Sequence, residues 1–188
     1  GLPRGWAAAD LGTALMALAL MVTAASSMSA RSRSPGATLR PSLTSGFAKL
    51  AAVTAASVYV VLVGGVLVSR PGALMRCLNW PGIVGLGRPE DVFGWLYLAR
   101  FAVGALASAL IVALVVQAWR TQLHRPRLVR NTTIVGALLA VGIVVGALMP
   151  TPDNGIVMPA LSMATAAALW ASLVALVLLA GRQAPDRE

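Results

Sequence analysis

Residues 93–118 read FGWLYLARFAVGALASALIVALVVQA, and this stretch decides the fold. Its one charged residue is Arg100. A helix needs about 20 mostly apolar residues to cross the hydrocarbon core of a bilayer. Four further apolar stretches approach that length, at residues 11–28, 50–68, 132–149 and 156–180. We therefore predict an all-α membrane protein with five transmembrane helices.

The composition of the whole chain argues against a water-soluble fold. Of its 188 residues, 58% are hydrophobic and 11% are charged, whereas about a quarter of a soluble domain is charged. The net charge of +9 comes from basic residues between the apolar stretches, with no interleaved aromatic side chains on which bases would stack. We predict no nucleic acid and identify no soluble substrate; the expected partners are the lipid bilayer and other integral membrane subunits.

The basic residues also predict the orientation. Segments 31–40 and 120–130 are rich in arginine, and cytoplasmic loops carry such an excess. We therefore predict a multi-pass protein of a bacterial plasma (inner) membrane, with its N-terminus outside and its C-terminus cytoplasmic. The first stretch could also be a cleaved signal peptide with small residues at Ser27 and Ser29, but the arginines that follow favour a retained helix.

Two domains follow from this pattern. Residues 1–45 form an N-terminal transmembrane helix and a basic cytoplasmic linker, and residues 46–188 form a four-helix transmembrane bundle. Cys77 is the single cysteine, which excludes an internal disulfide. Two pairs of glycines, which permit close approach of membrane helices, are predicted to serve helix packing: Gly64 and Gly65, and Gly142 and Gly146.

The sequence offers no catalytic constellation. Its only histidine, His124, falls beside Arg125 and Pro126 in a predicted loop, and the six acidic residues fall at the ends of apolar stretches or between them. We predict no catalytic residue, no metal site and no cofactor held by this chain alone. The candidates for a bound molecule are lipid or a tetrapyrrole shared with a partner chain. A small transporter is disfavoured because no intramembrane acid marks a path.

Arg100 is the one charge within an apolar stretch. Intramembrane charges mark functional sites, but long side chains near an interface also snorkel to the headgroups. Arg100 is therefore a candidate for binding an anion such as a cofactor propionate, with snorkelling as the alternative. With Trp80, Pro81 and Trp95 it makes up the predicted partner-binding surface. The alternative for both tryptophans is the aromatic belt at the membrane interface.

Three motifs together resemble one half of heme A synthase: VGGVLV at residues 63–68, CLNWP at 77–81, and the dipeptide AR at 99–100. The resemblance covers about residues 46–181, including the basic loop and the glycine-containing fourth stretch. It implies a heme A synthase-like four-helix bundle, here preceded by one extra helix.

The departures from that family bear on function. The family has a His-Arg pair where this chain has Ala99 and Arg100, a second loop cysteine where it has Ile83, and another histidine near Leu161 or Ser162. The resemblance therefore implies the scaffold without its bis-histidine chemistry, and oxidoreductase activity is not expected. We predict a non-catalytic accessory subunit of a larger respiratory or photosynthetic electron-transfer complex. The alternative is a haem- or pigment-handling membrane protein that binds a tetrapyrrole with a partner chain.

Overall fold

A computed structural model describes residues 4–31, 45–68, 92–148 and 157–181. These ranges contain five helices, namely α1 (Arg4–Arg31), α2 (Gly46–Val68), α3 (Val92–Thr121), α4 (Pro126–Leu148) and α5 (Val157–Gly181). Each helix contains a segment long and apolar enough to cross a membrane. No strand occurs in the described ranges. The predicted all-α membrane fold with five spanning helices is confirmed.

Four helices, α1 to α4, begin earlier than the predicted stretches, and the shift is largest for α1 and α4. α1 starts at Arg4 instead of residue 11, so Asp10 lies inside a helix, and α4 starts at Pro126 instead of residue 132. Proline suits the first turn of a helix because it lacks the N–H group that would have no acceptor there. Long basic side chains can enter the ends of a spanning helix because their charged heads reach the interface. The predicted basic loop is thereby reduced to residues 122–125.

Helices α2 to α5 form a closed ring. α2 packs against α3, α3 against α4, α4 against α5, and α5 against α2. Trp119 of α3 donates its indole N–H to Thr133 of α4 over 3.3 Å. Further along, a Cβ built on Gly136 of α4 would lie 3.2 Å from a methyl group of Val115. Residue numbers rise along α4 as they fall along α3, so these two helices are antiparallel.

The contacts between α4 and α5 also pair rising residue numbers on one helix with falling numbers on the other. The side-chain amide of Asn131 donates to the backbone carbonyl of Ser172 over 3.1 Å. A Cβ on Gly142 would lie 3.7 Å from a methyl group of Thr165. These two helices are therefore also antiparallel, and Asn131 is one of the few polar residues that bonds across the ring.

The core lies where the apolar faces of the ring meet. Five of its large side chains are almost completely enclosed: Ile111, Leu114, Val135, Leu173 and Leu176. Lipid tails are as apolar as leucine, so the hydrophobic effect does not by itself hold the helices together; close packing and interhelical hydrogen bonds do. The core therefore stabilises the bundle through the fit of its side chains.

α1 packs on the outside of the ring, against α2 and α5. The buried indole N–H of Trp170 donates to the backbone carbonyl of Leu15 over 2.9 Å. The ring of Tyr59 lies 5.5 Å from that of Trp170, centroid to centroid. A Cβ on Gly12 would lie 2.9 Å from the Tyr59 hydroxyl, so glycine lets α1 approach α2 this closely. Large side chains elsewhere on α1 are exposed: Trp6, Met16, Leu20, Met21 and Met28.

We expect Trp170→Phe to lower the free energy of unfolding by about 1 kcal/mol, the size of an interhelical hydrogen bond in a membrane protein. Phenylalanine keeps the ring contact with Tyr59 but removes the bond to Leu15. The measurement is unfolding in mild detergent, with Trp119→Phe as the matched control, because that change removes an indole bond from an exposed side chain. Equal losses in both variants would show that the buried bond to α1 contributes no more to the free energy of unfolding than the exposed bond between α3 and α4.

Candidate functional site

The predicted partner-binding surface lies only partly within the described residues. Trp80 and Pro81 fall outside them, and Arg100 lies on α3 with its side chain undescribed. Trp95 is 62% exposed. Leu98, Ala99, Ala102 and Leu106 are also exposed, and their spacing places them with Trp95 along one side of the helix.

We call this exposed stripe the outer face of α3. It is apolar from end to end, with the indole of Trp95 at its beginning. An indole has an apolar body and one N–H donor, so it suits both a protein interface and the headgroup level of a bilayer. The exposed stripe is consistent with the predicted docking role and with the aromatic-belt alternative alike.

The glycines predicted to serve helix packing differ in their surroundings. Gly65 and Gly146 are buried, and Gly142 faces Thr165 at an ordinary contact distance. A Cβ on Gly64 would meet no atom within 4 Å. The tight approaches occur at two other positions, Gly12 and Gly136. The spacing of glycines in the sequence does not distinguish those at tight helix approaches from the others. It gives no information on which side of an apolar helix meets a neighbour.

The helices of the ring border a partly open cavity of about 70 Å³, which we call the interior cavity. All four helices of the ring line it, with these among its residues: Val58 and Leu62 of α2, Gly104 and Ser108 of α3, Leu139 and Gly142 of α4, and Ser162, Thr165 and Leu169 of α5. Small side chains on three helices leave this space. Its walls are mainly apolar, with hydroxyl groups from α3 and α5.

The hydroxyl groups of the interior cavity are not equivalent. Thr165 donates to the carbonyl of Leu161, one turn earlier in its own helix, over 2.8 Å. Ser162 is buried. The Ser108 oxygen is also buried, but it has no hydrogen-bond partner in the protein. Such an atom is unusual in a folded protein and marks a place of strain or of interaction. Ser108 does not stand out in the sequence, because a single serine in an apolar helix forms no distinctive pattern.

The interior cavity is too small for a tetrapyrrole. Its volume of about 70 Å³ is about half that of the ~150 Å³ protein cavity known to admit benzene. Its lining residues include no histidine, cysteine or methionine, the side chains that ligate haem iron most often. The residues of the ring interior therefore do not fit a haem, although a few small molecules such as water fit the volume and the hydroxyl groups.

The remaining polar residues form no catalytic cluster in the part of the chain that the structure describes. His124 is exposed in the turn between α3 and α4, as predicted. Asp10 is the only acidic residue of the described ranges, and it is exposed on α1. Within these ranges no three residues of the types His, Cys, Asp and Glu come together as a metal site would require.

Comparison with known proteins links the chain to haem-related membrane proteins. A protein of Roseiflexus castenholzii named protoheme IX farnesyltransferase is 31% identical over 139 residues, which are 71% of this chain and 25% of that protein. A protein of the same name from Roseiflexus sp. strain RS-1 is 28% identical over 130 residues, 66% of this chain and 24% of its own length. The chain thus spans about a quarter of the curated relatives that it matches.

The other two comparisons found no counterpart. No family model matches the chain, and no solved structure matches it significantly. The similarity is therefore distant and partial, and the resemblance to heme A synthase itself stays a prediction.

We expect Ser108→Ala to raise the free energy of unfolding by about 1 kcal/mol, because a buried hydroxyl without a partner costs about 1–3 kcal/mol. Thr165→Val is the matched control: it removes a hydroxyl of the same cavity that is already bonded, so no gain is expected. Thermal unfolding in detergent compares the two. Destabilisation by Ser108→Ala would contradict the view that this hydroxyl has no partner. It would indicate that the hydroxyl binds a molecule inside the cavity.

Proposed function

We propose that this chain is a non-catalytic accessory subunit of a haem-handling membrane assembly, within a larger respiratory or photosynthetic electron-transfer complex. The observation that carries the proposal is the interior of the ring. Close-packed side chains leave a cavity of about 70 Å³ with hydroxyl groups as its polar lining. In this proposal the bundle serves by its shape and its outer surfaces, because the described lining of the cavity offers little room and none of the side chains that ligate haem iron most often.

The haem setting of this proposal is supported by the two relatives. Both are named for an activity on protoheme IX. Each is matched over about a quarter of its length, so their activity as whole proteins does not transfer to this chain. The similarity supports a role beside haem chemistry, and the resemblance of residues 46–181 to a heme A synthase half supports the same setting.

The non-catalytic part of the proposal is supported by the placement of the one imidazole and the one carboxylate within the described ranges. His124 and Asp10 are both exposed, one in the α3–α4 turn and the other on α1. General acid–base catalysis requires a proton donor or acceptor within hydrogen-bond reach of the reacting group. The interior cavity offers only hydroxyl groups, which are weak acids and bases without an activating partner.

The second candidate is a tetrapyrrole bound jointly with a partner chain. The observation in its favour is the outer face of α3, where exposed apolar side chains and Trp95 share a helix with Arg100. A flat apolar macrocycle suits such a surface, and a guanidinium group is a suitable ligand for a propionate carboxylate. In this arrangement the partner chain would hold the tetrapyrrole, and this chain would supply one wall of the site.

We expect Trp95→Ala to weaken association with the native partner subunits by about 2 kcal/mol, the size of an interface hot spot. The experiment is co-purification from mild-detergent extracts of native membranes. Trp119→Ala is the matched control, because Trp119 lies near the other end of α3 and is 53% exposed. Loss of partners with Trp95→Ala alone would support docking through the outer face of α3.

Two results would count against the proposal. Recovery of the chain without any partner, in wild type as in the variants, would contradict an accessory role altogether. Full recovery of the assembly with Trp95→Ala would place the docking surface elsewhere and leave Trp95 as a residue of the aromatic belt.

A further inference from the structure

A polar pocket lies at the end of the bundle that holds the α3–α4 turn. Its volume is about 150 Å³. It is bordered by the start of α2, the α3–α4 turn and the end of α5, through Ser45, Phe47, Gln122, His124, Arg125 and Ala180. Parts of the chain that are distant in sequence therefore converge on one concave site, which we call the basic-end pocket. The proposed function does not use it.

Within the described residues, the charges around the basic-end pocket are all positive. Five cationic side chains occur in the segments that meet there: Lys49, Arg120, Arg125, Arg127 and Arg130. Asp10, the single acid of the described ranges, belongs to the opposite end, because its neighbour Gly12 approaches Tyr59 well along α2. With no described carboxylate nearby, mutual repulsion among these cations favours the binding of an anion.

Four of the side chains that line the pocket can donate hydrogen bonds. Arg125 is half-buried and offers a guanidinium group with five N–H donors, and Gln122 is half-buried beside it. Ser45 caps α2 by accepting the N–H of Ala48 over 3.1 Å, which leaves its own hydroxyl hydrogen for a further acceptor. His124 adds a ring N–H. Such a donor set matches the oxygens of a phosphate group.

The partial charges at the helix termini do not determine the net charge of this pocket. α2 and α4 begin at the pocket, with partial positive charge, whereas α3 and α5 end there, with partial negative charge. These contributions offset one another. The α3–α4 turn is compact, with the N–H of Arg125 donating to the carbonyl of Gln122 over 2.8 Å. The turn therefore fixes the backbone position of Arg125. The side chains supply the net positive charge of the pocket.

The surroundings of the pocket favour a lipid over a free anion. Phe47 and Ala180 are buried apolar walls of the same pocket. Trp119 and Leu123 are exposed on the adjacent end of α3 and its turn, as amphipathic and apolar side chains are at the level of lipid headgroups. The volume of about 150 Å³ equals that of a cavity that admits benzene, ~150 Å³, and a phosphate group is no larger than that ring.

We propose that the basic-end pocket binds the phosphate group of an anionic phospholipid, with Arg125 as its principal ligand. Gln122, His124 and Ser45 complete the donor set, and the acyl chains follow the apolar surface of the bundle into the bilayer. Basic pockets between spanning helices on the cytoplasmic side are known to select anionic headgroups, and this is the side to which the arginine-rich segments are predicted to face.

The test compares two phospholipids with identical acyl chains, phosphatidylglycerol and phosphatidylcholine, added to the purified full chain in mild detergent. Retained lipid is counted by native mass spectrometry, and affinity is read from the lipid-dependent rise in Tm. The wild type is expected to prefer phosphatidylglycerol. Arg125→Gln removes one charge and keeps an amide donor, and it should weaken phosphatidylglycerol binding by about tenfold, as the loss of a direct charge-assisted bond does.

Arg127→Gln is the matched control, because it removes the same charge from an exposed side chain that does not line the pocket. It should weaken binding by no more than about fivefold, the effect of one basic residue near an anionic surface. If Arg125→Gln does not fold, His124→Ala provides the same comparison with an exposed residue. Equal losses in pocket and control variants would overturn the site. An identical rise in Tm with inorganic phosphate alone would overturn the lipid assignment.

Discussion

Inside a bilayer, each backbone and side-chain hydrogen-bonding group must find its partner within the protein. Several hydroxyl groups of the described helices meet this constraint by bonding back to a carbonyl three or four residues earlier. Thr54 bonds to Leu50, Thr132 to Leu128 and Thr165 to Leu161, each within its own helix. Polar groups are thus satisfied locally, and the helices are left free to pack through apolar and small side chains.

In the part of the chain that the structure describes, some hydrogen bonds cross between helices and hold specific pairs together. Trp170 binds the carbonyl of Leu15 and fixes α1 on the ring, and Asn131 binds the carbonyl of Ser172 and fixes α4 on α5. Ser108 is the exception to local satisfaction. It lies where small residues from several helices leave the interior cavity. The described residues that line this space include no histidine, cysteine or methionine.

Sequence patterns were sufficient for the number and type of the helices, because length and apolar composition determine whether a segment can span a bilayer. They were not sufficient for the helix ends, since proline and arginine in the first turns of α4 resemble loop residues. The patterns also could not identify the packed faces. Helices that are apolar on all sides give no periodic signal, so the tight glycines at 12 and 136 and the role of Trp170 appear only in three dimensions. The basic-end pocket was likewise hidden, because its lining residues Ser45, Arg125 and Ala180 are far apart in the chain.

The central claim is that the ring itself holds no haem, although its relatives are named for haem chemistry. Pyridine haemochrome analysis of the purified chain, after extensive washing in mild detergent, tests this claim most directly. The chain should contain far less than one haem per molecule, because its only histidine lies in the α3–α4 turn and its interior cavity is about 70 Å³. One haem per chain that survives washing would contradict the account.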